Sequence, residues 1–457
     1  MSELIRAATV GSGFLLIFGA AELWHRLGDP PVELSRKFVH VASGILVLAF
    51  PWIFTSRWTV FGLAAVFALL ILGTRRVGML QSIHGVSRRS EGGLFYPLAV
   101  VLLFTLAYDE RVFYLISVLA LIVSDPAAAL LGTVYGKTAY YVEEDRRSIE
   151  GSVSFFVTTF LIVHLPLLLM TELDRDVCVL LALHISLVVT LIEGVSLRGS
   201  DNLLIPLSAF YLLVRFTPES ASVMGGHIAV LLVTFALLTF FCLRSRLMRT
   251  SGVMAAALFF YGVYLFGNAQ WMAAPTLALG GIAGLRRVLR ISGSVPDGHY
   301  EVLAAIYAGV VALTLIVAHD VLPRALSGPA WLLGGDAFRG PFVGVIAGQA
   351  AVVAATQFRP FGPQNREPPS IPLTLTVLAG SLVVVVPASL WLTGGVTIVS
   401  ATTAVAITAV AVAFYWTARK LPGWPGEPPW NMRLQAASLA AATVLILPIH
   451  FRLLAGS

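Results

Sequence analysis

The stretch Leu115–Ser154, LISVLALIVSDPAAALLGTVYGKTAYYVEEDRRSIEGSVS, carries the reading of this chain. It opens as an apolar run and places Asp125 inside it, directly before Pro126. It then leaves the apolar phase through Gly132, Gly136 and Lys137, shows a charged segment from Glu143 to Arg147, and re-enters through Glu150-Gly151-Ser152. An ionisable group among apolar neighbours at membrane depth costs several kcal/mol unless a partner, an ion or a water-filled cavity satisfies it. One reading makes Asp125 a helix-end residue facing headgroups or a base on another helix. The glycines, serines, acids and bases that follow favour the other reading, a site for phosphate and metal.

Outward from this stretch the chain is apolar throughout. Of its 457 residues 58% are hydrophobic and 12% charged, which excludes a soluble domain of this size. About sixteen apolar segments of spanning or near-spanning length, from 5–24 to 434–451, predict an all-α polytopic integral membrane protein in two bundles. Ten-residue strands with period-2 alternation, the mark of a barrel, are not seen. Met1–Trp24 reads as an uncleaved first span, because the stronger positive charge follows the run. Cys178 and Cys242 have no metal-ligand spacing and read as packing residues. The net charge of +6 is spread over many short loops, a pattern of membrane orientation and phosphate contact and not of nucleic-acid binding.

The basic loops alternate along the predicted spans. Roughly three-quarters of the 30 Lys and Arg fall on one side, which the positive-inside rule makes cytoplasmic. Loops before residue 245 carry compact polar clusters. Those after it are Pro/Gly-rich connectors such as RPFGPQNREPPSIP and KLPGWPGEPPW, so the expected domains are 1–245 and 246–457.

Five polar clusters of the first half share the cytoplasmic side. In the first, Lys37, His40 and Gly44 lie on one helical face at i, i+3 and i+7, the alternative being an interfacial anchor with a packed histidine. In the second, Ser87-Arg88-Arg89-Ser90-Glu91-Gly92-Gly93, an ordinary basic loop accounts for the arginines but not for the glycine pair. The third is the opening stretch. Glu193-Gly194 closes the apolar run VVTLIEG, and Asp201-Asn202 precedes LLIPLSAF, where a lone pair of this kind is more often a helix cap. Together they suit phosphoryl transfer from a nucleotide to a lipid. Cations neutralise phosphates, carboxylates hold Mg²⁺, and a base orients the attacking hydroxyl.

In this order, ELSRKFVHVASG, SRRSEGGLFYP, SDPAAALLGTVYGK, RRSIEGS and LIEGVSLRGSDNLLIPL resemble the phytol/dolichol kinase family of CTP-dependent polyprenol kinases, distant relatives of the CDP-diacylglycerol synthases. The resemblance covers roughly residues 30–215. It implies a Mg²⁺-dependent kinase of the inner membrane or its equivalent, using CTP on a long-chain isoprenoid alcohol at the cytoplasmic face, with a homodimer as one assembly. It implies catalytic roles for Asp125, Lys37, His40 and Glu150, and a metal site of Asp125, Glu193, Asp201 and Asn202. Arg88, Arg89, Gly132, Lys137, Arg147, Ser148, Gly151 and Ser152 would contact the nucleotide. Two positions depart from the family's pattern: Arg147 stands where lysine is expected, and Ser124 where glycine is usual.

Residues 245–457 more weakly resemble the family that includes phytyl-phosphate kinase, through TSGVMAAALFFYGVYLFGNAQW and HYEVLAAIYAGVVAL. That implies either a second phosphorylation by this half or a membrane scaffold. Two other functions compete. A CDP-lipid-forming cytidylyltransferase would show Lys-Arg…Lys-Asp and His-Gly-Gly…Asp-Arg runs, which are not present. A transporter would place ionisable residues at the midplane of both halves, whereas here they gather in one half at one face.

Overall fold

The computed structural model describes residues 2–77, 91–143, 145–245, 247–288, 301–325, 337–357, 386–387, 391, 397–419 and 428–456. They are almost entirely helical. Ten helices are long and apolar enough to cross a membrane, and three shorter apolar ones (Gly92–Leu106, Thr250–Phe266 and Arg339–Val353) accompany them among the described residues. The chain is a helical membrane protein. Of the segments expected to span, 371–393 lies mostly outside the described residues. The chain divides into two compact units, Met1–Val230 and Leu231–Ser457, the division falling inside the helix Ala221–Ser245.

The first unit begins with α1 (Glu3–Gly28), α2 (Val32–Leu48), the single turn α3 (Phe50–Ile53) and α4 (Arg57–Val77). Pro51 is what ends α2. It lacks the N–H that would bond the Val47 carbonyl four residues back. The Tyr114 hydroxyl takes over, donating to Val47 O at 3.0 Å. Tyr114 belongs to α6 (Arg111–Ile122), which follows α5 (Gly92–Leu106). Gly44 lets α2 and α6 close up, since a Cβ there would run into the Ile122 side chain.

Helix α6 breaks at Val123, and α7 (Ser124–Tyr135) resumes the same span. Pro126 again explains the break: with no N–H it fits only the first turn of a new helix. Asp125 therefore occupies a helix N-terminal turn inside a membrane-length segment, where the helix dipole favours a carboxylate. It stands ten residues before the end of α7, about 15 Å along the axis.

After α7 comes an antiparallel hairpin, β1 (Ala139–Val142) and β2 (Asp145–Ser148). Tyr140 and Val142 point inward at 7% and 1% exposure, and Tyr140 pairs with Arg147. Glu143, in the left-handed region at φ 53°, helps turn the chain. Ser148 then caps α8 (Ile149–Met170), its Oγ accepting from Gly151 N at 3.1 Å.

Helix α8 packs on α7 and on α9 (Arg175–Val195), and α10 (Asp201–Phe216) packs on α5 and α6. Phe155, Val163 and Leu167 of α8 are fully buried. Thr159 Oγ1 donates to Ser124 Oγ at 2.9 Å, giving the serine at the helix break a buried partner. Small residues carry the α7–α8 approach. A Cβ on Gly151 would stand 3.0 Å from Ala128 O and 3.3 Å from Gly132 Cα.

In the second unit the same device recurs. Gly340, Gly344 and Gly348 face neighbouring helices at one-turn intervals, and a Cβ on Gly344 would lie 2.8 Å from Ala404 O. Spacing of this kind lets helix backbones meet where no water is displaced to drive them together.

The packing argument yields a contrast. Gly151→Val should cost about 1–3 kcal/mol by overpacking the α7–α8 seam. Gly19→Val, with nothing within 4 Å of the new Cβ, should leave thermal unfolding in nanodiscs nearly unchanged. Equal transitions for the two variants would refute the close seam.

Candidate active site

The N-terminal ends of α2, α5, α8 and α10 meet the C-terminal ends of α4, α7 and α9 around one cavity of about 800 Å³. Loop contacts frame its charged mouth. Glu91 N donates to Arg198 O at 2.8 Å, Arg75 lies 3.7 Å from Glu91, and Arg198 lies 3.8 Å from Glu143.

Deeper in, Lys37 of α2 forms an ion pair with Asp125 of α7, the two side chains 11% and 16% exposed. The pair answers the cost of a carboxylate in an apolar span. Asp201 and Glu193 lie within the electrostatic reach of Asp125, with Lys37 and Arg147 among them. Asp201 Oδ1 accepts from Asn202 N at 3.0 Å, a local turn at the start of α10, and Asn202 is 9% exposed.

Arg147 reaches from β2 to the C-terminus of α9. Its Nη1 donates to the Glu193 carboxylate at 2.5 Å and to the Glu193 carbonyl, and its Nη2 donates to Ser196 O at 2.9 Å. This explains arginine at a position where lysine is expected. A planar fork serves several acceptors at once, and a cation suits the open carbonyls of a helix C-terminus. Burial works against its charge, but Glu193 and Asp201 outweigh that and hold the guanidinium pKa above its ordinary value. Tyr140, opposite Arg147, bonds Ser152 Oγ at 2.9 Å, and burial pushes its phenol above the usual range.

At the inner edge of the charged chamber, His40 and Tyr96 meet edge to face with ring centroids 5.4 Å apart. His40 Nε2 is buried without a hydrogen-bond partner, and the Tyr96 hydroxyl is buried beside Ser43. Both His40 and Tyr96 line the cavity, and an enclosed imidazole nitrogen with no partner is a group that an entering hydroxyl would satisfy after a small shift of the ring. Beyond them the walls turn apolar, with Phe14, Val47 and Phe67 among the lining residues.

The structure thus brings Lys37, His40, Asp125, Gly132, Arg147, Ser148, Gly151, Ser152, Glu193, Asp201 and Asn202 to one cavity. Two expected residues stand elsewhere. Glu150 does not line the cavity; its carboxylate accepts from Thr138 N at 3.1 and 3.2 Å and fastens the hairpin to α8. Lys137 is exposed beside the hairpin and does not line the cavity either. Arg88 and Arg89 lie outside the described residues. Tyr96 and Tyr140 were not among the expected site residues. Ala-Tyr-Tyr-Val carries no polar alternation that would single out Tyr140, and the glycine pair before Tyr96 pointed only to its loop.

The donor set fits a divalent cation shared with a phosphate ligand, and not an all-protein cage. Among the described residues no three His, Cys, Asp or Glu side chains gather closely enough to hold a metal alone. A small hard cation that keeps waters and phosphate oxygens needs only one or two carboxylates.

The buried Arg147–Glu193 pair gives a direct test. Arg147→Met leaves Glu193 unpaired at 13% exposure and should cost about 3 kcal/mol or more of stability. Adding Glu193→Gln should restore much of that loss. A double variant as unstable as the single one in thermal unfolding would show that the pair does not hold the hairpin to α9.

The chain is 33% identical over 194 residues to the phytol kinase of Synechocystis, a match covering 41% of this chain and 82% of that protein. It is 28% identical over 218 residues to the probable phytol kinase 1, chloroplastic, of Glycine max, covering 44% of this chain and 72% of that one. No family model matches the chain. No solved structure matches it. The identity and coverage of the Synechocystis enzyme place the chain in a family, and this chain belongs to the phytol kinase family.

Proposed function

We propose that the first unit is a lipid kinase that transfers the γ-phosphate of CTP to the hydroxyl of a long-chain isoprenoid alcohol of the phytol, polyprenol or dolichol type. One observation carries the reading. A single cavity joins a charged chamber, holding the Lys37–Asp125 pair, to an apolar interior, and the unpartnered His40 Nε2 stands at the junction. A prenol is built in the same sequence, with a polar hydroxyl on an apolar tail.

In this scheme His40 Nε2 accepts a hydrogen bond from the alcohol and takes its proton as the oxygen attacks. The new bond joins that oxygen to the γ-phosphorus. The bond to the β-bridging oxygen breaks, giving a prenyl monophosphate and CDP. Lys37, released from Asp125, turns to the phosphate, and Arg147 stays fixed by the end of α9 and adds positive field. Asp125, with one further carboxylate from Asp201 or Glu193, would hold Mg²⁺ together with the nucleotide, and the part of the ion when bound is to neutralise charge on the transferring group.

The basic loops put this mouth on the cytoplasmic side, where nucleotide is abundant. The sixteen-span, two-bundle layout, the division at residue 245 and a homodimeric assembly belong to the same proposal. For residues 246–457 a second phosphorylation rests on resemblance alone. Buried polar groups described there, such as His450 held by Thr403 Oγ1 at 2.8 Å and Ala337 O at 2.9 Å, tie helices together.

The reading is tested with purified protein in nanodiscs, Mg²⁺, phytol and CTP labelled at either the α- or the γ-phosphorus. Label from the γ position should enter the organic phase as phytyl phosphate. Label from the α position would mean cytidylyl transfer, and no label with any prenol would overturn the kinase assignment.

A further inference from the structure

The cavity extends well past the point where chemistry would occur. Along α2 its lining residues recur on one face: Lys37, then His40 and Ser43, then Val47. Ten residues of helix separate the first from the last, about 15 Å. Charge is confined to the Glu33, Arg36 and Lys37 end, the middle carries Val39, His40 and Ser43, and the last turn ends in the hydrocarbon of Val47.

Phe14 and Phe18 of α1 and Phe67 of α4 wall the apolar arm. Phe14 and Phe67 have ring centroids 4.7 Å apart, and Phe18 and Phe67 5.9 Å. The far end is shut by Val47, Phe50 and Val60, each at most 2% exposed. Polar bonds behind this end wall lock it. Arg6 Nη1 donates to Ile53 O at 2.8 Å, and Glu3 Oε1 accepts from Thr55 N at 3.1 Å and Thr55 Oγ1 at 2.6 Å. They tie the start of α1 to the corner between α3 and α4.

We infer that this arm is a blind channel for the hydrocarbon tail of the alcohol, and that its end wall selects among the proposed alcohols, taking a tail of phytol length or shorter and rejecting polyprenol and dolichol tails. The inference rests on the kinase reading for the identity of the headgroup, but the arm's shape is independent of it. Below His40 and Ser43 the walls described here are hydrocarbon and aromatic, so no headgroup or phosphate can be satisfied there. The occupant must be apolar, must enter with its polar end toward Lys37 and Asp125, and must stop at Phe50 and Val60. A closed end makes length a matter of steric fit, and each methylene gained or lost in an apolar pocket changes specificity by about tenfold or more.

The test compares kcat/KM for geraniol, farnesol, geranylgeraniol, phytol and a polyprenol in three proteins. In the wild type the profile should fall once the tail outruns the arm. Ala64→Trp, which fills the middle of the arm, should lower the ratio of long to short prenols about tenfold or more. Phe50→Ala, which removes part of the end wall, should raise it. Unchanged ratios in both folded variants would overturn the channel while leaving the kinase reading intact. If the wild type phosphorylates no prenol, the kinase reading fails, and a diazirine-tailed prenol then decides the arm separately. Crosslinks at Ala64 or Phe67 support it, and crosslinks confined to lipid-facing residues such as Leu69 sink it.

Discussion

Lys37 and Asp125 stand 88 residues apart in sequence and meet as an ion pair inside a membrane-length bundle. Neither charge would be tolerable alone at that depth, and the pair is retained only where geometry and further polar groups satisfy both ends. Much of the first unit can be read as the means of making that meeting possible. Pro126 breaks a span so that Asp125 falls at a helix N-terminus. Gly44 draws α2 close to α6, and Gly132 with Gly151 draws α8 onto α7. Arg147 then locks the hairpin against the end of α9, closing the chamber from the side.

The chamber is charged but balanced. Asp125 has Lys37, Glu193 has Arg147, and Asp201 is turned to its own helix start. Such a site is stable without a ligand and can re-partner when a phosphate arrives. On the kinase proposal, each cation would trade a carboxylate for a phosphate oxygen, and the freed carboxylate would become available to a cation carried with the nucleotide. The unpartnered His40 Nε2 and the buried hydroxyl of Tyr96 stand apart from this exchange. On the same proposal, they are where the neutral hydroxyl of the alcohol would complete the hydrogen bonding.

A good part of this was legible in sequence, for identifiable reasons. An aspartate before proline in an apolar run has few inexpensive explanations, and Lys37 and His40 follow helical spacing that survives folding. Arg147 was legible as a charge, but its partners were not, since the Glu193 carboxylate and two backbone carbonyls come from a helix nearly fifty residues away. Glu150 misled because residue type does not tell direction. Ser148 fixes the start of α8, and the hairpin then turns the neighbouring carboxylate outward to Thr138. The hairpin itself has only four residues per strand, too few for alternation to stand out among apolar helices. The apolar arm could not be seen at all, because nothing in the sequence pairs Phe14 with Phe67 until α1, α2 and α4 assemble around the cavity.

On the kinase proposal, the Asp125 charge is kept for chemistry and not for folding. Asp125→Asn keeps size and hydrogen bonding but removes that charge. Steady-state prenol phosphorylation by this variant in nanodiscs, titrated with Mg²⁺ and accompanied by thermal unfolding, tests the claim most directly. The account predicts a protein that inserts and folds like the wild type, with turnover reduced about a hundredfold or more and an altered Mg²⁺ response. Near-wild-type turnover with the same Mg²⁺ dependence would contradict it and make Asp125 a structural partner of Lys37.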